Sequence, residues 1–254
     1  MKKKSEMERL IAIMAKLRRP SGCPWDRKQT HETLIPYLVE EAHETIEAIY
    51  QKDYKKLEEE LGDLLLQVVF HAHLAKEKKR FDIEDVAKGI SDKLIRRHPH
   101  VFGKKEKLSP QQVLENWEKR KLKEKSEGVL DSIPETLPIL FRAQRVQEKA
   151  AQFGFDWKKA NQVIPKLKEE IREIEKSLNA HPQKREEEIG DLLFSVINLS
   201  RHLKVNPEKA LRTTVQKFQK RFAFIEANLK KQKKDLGKVS LQELDRLWNK
   251  AKKP

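Results

Sequence analysis

Residues 37–70 read YLVEEAHETIEAIYQKDYKKLEEELGDLLLQVVF. The apolar spacing predicts two amphipathic helices with a break near Gln51–Asp53. Each helix carries acidic residues three apart, Glu41 and Glu44 on the first and Glu60 and Asp63 on the second. Positions i and i+3 share a helix face, so each pair forms a carboxylate ledge. A connection this short favours antiparallel packing, which brings the two ledges together. Carboxylates crowded in this way repel one another and take up protons unless a cation is bound. Clustered oxygen ligands suit Mg²⁺. Taken alone, such glutamates are most simply solvent-facing residues of a charged helix.

Composition sets the frame around this stretch. A chain of 254 residues accommodates one large domain or two small ones. Charged residues make up 37%, and runs of Glu, Lys, Leu and Gln favour helix, which points to an all-α protein. The single cysteine, Cys23, excludes an internal disulfide framework. No apolar run is long enough to span a bilayer and the N-terminus has no signal-peptide pattern, so a cytoplasmic protein without membrane partners is expected. The formal charge of +15 favours anionic partners. With aromatics at 7% and no nucleic-acid module in the sequence, small anions are the expected class and nucleic acid is not.

The rest of the chain is read in order. Residues 5–18 are expected to form a helix stopped by Pro20, followed by a loop, SGCPWDRKQT. Thr30 is placed to cap the helix that carries Glu41, with Pro36 in its first turn. Another helix starts near Phe81 and ends at Pro99, and Ser109-Pro110 opens a further one. The Gly/Pro texture of 128–138 marks a linker, giving domains at 1–127 and 139–254.

The second half repeats the first. LIPYLVEEAHE at 34–44 matches VIPKLKEEIRE at 163–173, and EELGDLL at 59–65 matches EEIGDLL at 187–193. Glu41, Glu44, Glu60 and Asp63 thereby pair with Glu170, Glu173, Glu188 and Asp191. Downstream, Lys93 and Arg97 pair with Lys217 and Arg221, Arg96 with Lys220, Trp117 with Trp248, and Lys119 with Lys250. CPWD at 23–26 has a looser counterpart in GFDW at 154–157. Packing alone accounts for a retained Leu or Ile but not for a retained acidic quartet. The duplication therefore favours a metal site in each half over solvated glutamates.

The pattern Glu-Glu-x-x-Glu, then Glu-x-x-Asp, on paired helices resembles the MazG family of all-α nucleoside triphosphate pyrophosphohydrolases. GCPWD, EELGDLL, RRHPHVF and GFDW stand in that family's order. The acidic motif alone is shared with dimeric dUTPases and phosphoribosyl-ATP pyrophosphohydrolases. The resemblance implies cleavage of (d)NTPs at the α–β bond to (d)NMP and pyrophosphate by metal-activated water. It implies Mg²⁺, with Mn²⁺ as a possible substitute, on the eight carboxylates named above, which are then both metal ligands and catalytic residues. Lys93, Arg96, Arg97, Lys217 and Arg221 become expected phosphate contacts, as do Lys119 and Lys250. Trp117 and Trp248 are placed either to stack on a base or to close the core. Two tandem MazG-like domains are implied, each burying its apolar stripe (Leu61, Leu64, Leu65, Val68, Val69 in the first) in a four-helix-bundle core completed by homodimerisation.

Other polar features point elsewhere. His71 and His73, two apart on a helix, splay rather than converge on a metal. His98 and His100 flank Pro99 in a turn, and GxxxxGK[ST] is absent. Two alternatives stay open: a related phosphohydrolase acting on one nucleotide or on pyrophosphate, and a basic helical nucleic-acid-binding protein.

Overall fold

Helix boundaries follow from local capping chemistry. The computed structural model describes residues 5–123 and 128–252, without the side chains of Lys119 and of residues 121–123. These residues form twelve α-helices, two short 3₁₀ turns and no strand. They fall into two compact units, Met1–Lys121 and Leu122–Pro254. Residues 128–138 pack within the second unit: Ile133 is buried, and the buried Lys149 ammonium donates to Val129 O at 3.1 Å and to Ser132 Oγ.

In the first unit, α1 (Glu6–Leu17) opens on a capping box in which Ser5 Oγ accepts from Glu8 N and the Glu8 carboxylate accepts from Ser5 N. The short α2 (Pro24–Lys28) lies in the loop that follows. Helix α3 spans Ile35–Gln51 and α4 spans Tyr54–Glu77. Thr30 does not cap α3. It exchanges hydrogen bonds with Thr33 in a preceding turn, and the helix starts at Ile35-Pro36, where proline supplies the φ of a first turn. Lys52 adopts the left-handed conformation (φ 57°) that ends α3, and Asp53 caps α4 through Lys55 N and Lys56 N. Two residues thus turn the chain, and α3 packs along α4 as an antiparallel hairpin.

Helix α1 lies against α4, where Met14, Leu34, Val69, Phe70 and Leu74 form the core. Arg18 secures that contact with a two-pronged bond to Glu77, Nε to Oε1 and Nη2 to Oε2, both 2.7 Å. Then follow α5 (Ile83–Arg97), capped by Asp82, the short α6 (Pro99–Phe102), and α7 (Pro110–Lys123).

The second unit runs through α8 (Ile139–Gln152), α9 (Val163–Ser177), α10 (Pro182–His202), α11 (Pro207–Lys231) and α12 (Leu241–Lys250). Helices α9 and α10 form the second hairpin, and α8 lies on α10 as α1 lies on α4. Ile225, Leu229 and Leu247 make a small core between α11 and α12.

Much of the hairpins' apolar surface has no cover among the described residues. Leu61, Leu65 and Val68 are exposed, as are Ile189, Leu193 and Val196 at the same register of α10. The expected stripe is narrower than its sequence suggests, because Val69 turns inward to the core of its own unit.

Candidate functional site

The hairpin geometry explains why the acidic ledges meet. Glu41 and Asp63 lie equally far from the turn at Lys52, as do Glu44 and Glu60, so antiparallel packing sets each opposite the other. Glu170 with Asp191, and Glu173 with Glu188, are centred in the same way on the second turn. In the first unit Glu41, Glu60 and Asp63 offer oxygens all within 4.8 Å of one another; in the second, Glu170, Glu188 and Asp191 do the same.

Burial and mutual repulsion act on these groups. Burial pushes the Glu41 carboxyl above the usual carboxylate range, and Asp63 and Glu44 add to it. Glu60, with 6% of its surface exposed, is raised by burial and by Glu44. Glu173 is raised by burial, then by Glu188 and Glu170. Glu44 and Glu173 therefore sit within electrostatic reach of the trios.

Lysines partly neutralise the second cluster. Lys166 Nζ lies 2.7 Å from Glu170 Oε1, and Lys184 Nζ lies 2.6 Å from Glu188 Oε1. Lys56 Nζ approaches Glu60 Oε1 only to 3.9 Å. Glu170 Oε2 remains buried without a hydrogen-bond partner. A buried carboxylate oxygen left in this state is costly unless a cation meets it. The donor set, all carboxylate oxygen, fits a hard divalent ion.

The basic residues stand on other helices. Arg97 covers the Trp117 ring at 4.9 Å and Arg221 covers Trp248 at 5.3 Å, so one cation–π pair recurs in both units. Both tryptophans are half-buried: Trp117 also meets His98, and Trp248 meets Phe218 and the α11–α12 core. Lys93, Arg96, Lys217 and Lys250 are exposed; the Lys119 side chain lies outside the described residues. His71 and His73 do diverge, with His71 Nδ1 lying 2.8 Å from His31 Nδ1 and His73 lying 3.5 Å from Glu77.

One feature of the second unit is not evident from the acidic motif. A cavity of about 710 Å³ borders Glu170 and Asp191 and is walled by Phe155, Trp157 and Phe194. Gly154, at φ 83°, makes the turn that presents this wall. Gln147 and Asn198 also line it. The GFDW turn supplies two of the wall's aromatic rings, and nothing in the repeat pattern singled out the two carboxamides.

A profile of the MazG nucleotide pyrophosphohydrolase domain matches residues 29–102 and again 158–223, each match containing one acidic hairpin. The chain belongs to the MazG family. It is 49% identical to the Thermotoga maritima nucleoside triphosphate pyrophosphohydrolase/pyrophosphatase MazG, over 96% of this chain and 95% of the relative. It is 42% identical to the Escherichia coli nucleoside triphosphate pyrophosphohydrolase over 98% of both chains. The Bacillus subtilis uncharacterized protein YabN is 43% identical over 97% of this chain but only 52% of its own length. The MazG domain thus occurs twice in an all-α chain. Among the described residues no helix is long and apolar enough to cross a membrane.

Proposed function

We propose that this chain is a cytoplasmic nucleoside triphosphate pyrophosphohydrolase that releases pyrophosphate and a nucleoside monophosphate. The observation that carries the reading is the twice-built carboxylate trio, with its unpaired, buried Glu170 Oε2. Glu41, Glu60 and Asp63, and Glu170, Glu188 and Asp191, would hold a divalent cation, with Mg²⁺ preferred and Mn²⁺ a possible substitute. When bound, such an ion neutralises the triphosphate and acidifies water.

The side chains supply the remaining steps. Glu173, beside Glu170 and Glu188 but outside their trio, would take the proton from the attacking water, and Glu44, beside Glu41 and Glu60, would do so in the first unit. Water adds at the α-phosphorus, the α–β bridging P–O bond breaks, and pyrophosphate leaves with that oxygen. Arg97 and Arg221, which lie over Trp117 and Trp248, would present guanidinium forks to phosphate oxygens, with Lys93, Arg96, Lys217 and Lys250 adding positive charge. The uncovered faces around Leu61, Leu65 and Leu193 support a homodimer that completes each bundle.

A panel of NTPs and dNTPs with Mg²⁺ tests the activity. Monophosphate and pyrophosphate in equal amounts are expected. Inorganic phosphate as the first product, or turnover without divalent metal, would overturn the assignment.

A further inference from the structure

The loop that walls the second unit's cavity has no apolar anchor. Residues 152–159 are all exposed, Phe155 at 84%, yet Phe155, Asp156 and Trp157 line the cavity beside Glu170 and Asp191. A segment with so little burial opens locally unless polar bonds tie it down. Its ends are tied at the backbone: Phe155 N donates to Ala150 O at 3.2 Å, and the Lys158 and Lys159 amides donate to Gln162 Oε1. Between those ends, among the described residues, the tie is Asp156. With 19% of its side chain exposed, it accepts from Arg201 Nη1 at 2.9 Å and from Arg201 Nη2, and it lies 3.0 Å from His202 Nε2. Arg201 and His202 are the last two residues of α10, and their side chains are 15% and 11% exposed. Burial, the largest influence on the Asp156 carboxyl, acts to raise its pKa; the bonds from Arg201 and His202 outweigh it and hold the group below the usual carboxylate range. A two-pronged guanidinium–carboxylate pair fixes direction as well as distance.

The first half fastens the matching loop with other residues. Arg18 bonds to Glu77, the last residue of α4, and its Nη1 donates to Asp26 O in the CPWD loop. The arginine there precedes the loop and the carboxylate stands on the long helix, the reverse of Asp156 and Arg201. The order of Asp and Trp is also reversed between PWD and FDW, and the register of Arg201 and His202 on α4 holds His73 and Leu74. The acidic trios thus recur residue for residue, whereas the ties reach the same end through unlike residues. Inheritance by duplication does not account for that; a need in each half to hold the loop against the hairpin does.

We propose that Asp156, Arg201 and His202 are positioning residues for hydrolysis in the second half, whose clasp holds Phe155 and Trp157 at the cavity wall so that a bound nucleoside triphosphate stays against Glu170 and Asp191. The inference rests on the pyrophosphohydrolase reading. The three side chains are engaged with one another and act through the loop. Its release loosens the grip on the nucleotide and leaves the carboxylates, on α9 and α10, where they were.

The test uses the full chain carrying Glu60→Gln, which confines turnover to the second half. On that background Asp156→Asn should raise KM for ATP about tenfold with kcat within about twofold, the mark of lost binding and intact chemistry. Arg201→Gln should do the same, and the two together should cost no more than either alone, because both break one clasp. Arg201→Lys, which keeps the charge but not the fork, should give a smaller rise in KM, and it carries the test should Asp156→Asn not fold. Hydrogen exchange should quicken over residues 153–159 and stay unchanged in α9. A fall in kcat at constant KM, additive effects of the two changes, or an unaltered KM throughout overturns the clasp. A chain that cleaves no NTP overturns the pyrophosphohydrolase reading instead. Calorimetric affinity for ATP with Mg²⁺ then decides the clasp: about tenfold weaker binding by Asp156→Asn upholds it, and equal or absent binding in both chains overturns it.

Discussion

The Lys166 ammonium lies 2.7 Å from Glu170 Oε1 and 2.8 Å from Glu169 Oε1, so the second acidic cluster carries its own internal cation. These bonds raise the lysine pKa and keep it charged. The first cluster has no equivalent, because Tyr37 stands at that register. Glu41 and Glu60 are both raised, by burial first and then by neighbouring carboxylates, with the more distant Lys56 offsetting part of the effect on Glu60.

A lysine bonded to a ligand competes with the metal for that ligand. Lys166→Gln should therefore tighten Mn²⁺ binding to the second cluster about two- to fivefold, the equivalent of ~0.5–1 kcal/mol for a partly exposed ion pair. Titration calorimetry without nucleotide, on a chain also carrying Glu60→Gln, isolates that cluster. Unchanged or weaker binding would mean that Lys166 does not oppose the cation.

Glu60 and Glu188 are the buried members of their trios on α4 and α10, and Gln preserves their shape while removing charge. Loss of an outer-shell partner alone costs metal sites about 10–100-fold, so loss of a direct ligand should cost at least about 100-fold. Glu60→Gln should lower Mn²⁺ binding to the first cluster by that factor, and Glu188→Gln that to the second. The double variant should lose NTP hydrolysis. Full activity in the double variant would remove the carboxylates from the chemistry. Glu60→Gln should also raise the melting temperature of the metal-free chain by relieving repulsion from Glu44.

The periodicity of 37–70 placed both ledges on facing helices, because an i, i+3 spacing and a two-residue turn leave little alternative geometry. The duplication then separated Glu41 and Glu60 from ordinary surface glutamates. Burial was harder to read: Val69 sits among similar apolar neighbours, and only the packing of α1 on α4 decides that it turns inward. Gln147 was hidden for another reason. Its burial depends on a bond to Phe194 O, forty-seven positions along the chain, which no local pattern encodes.

The exposed Leu61 and Leu65 on α4 and Leu193 on α10 predict the assembly state. A lysine placed in a face that pairs with another subunit is desolvated without a partner, at a cost of ~3 kcal/mol or about 100-fold in affinity. Leu61→Lys with Leu193→Lys should move the chain from dimer to monomer at micromolar concentration, read by light scattering. A wild-type monomer, or a dimer indifferent to both lysines, would contradict the paired-bundle arrangement.

The raised carboxyls of Glu41, Glu60 and Glu173 fix the sign of the pH response. A group whose folded pKa exceeds its unfolded value, ordinarily near 4.5 here, adds stability below that value and loses it as pH climbs through the folded pKa. These three carboxyls should therefore subtract stability as pH rises from about 4.5 toward neutrality, against the opposite trend of His71 and His73, whose pKa burial lowers, and Glu60→Gln should reduce the carboxyl part of the loss. Divalent ions bind the deprotonated form, so the stabilisation by Mg²⁺ should grow over the same interval. Melting curves with and without Mg²⁺, for wild type and Glu60→Gln, measure both trends. A Mg²⁺ effect that is flat with pH, or that shrinks as pH rises, would show that protons and the cation do not compete for these carboxylates.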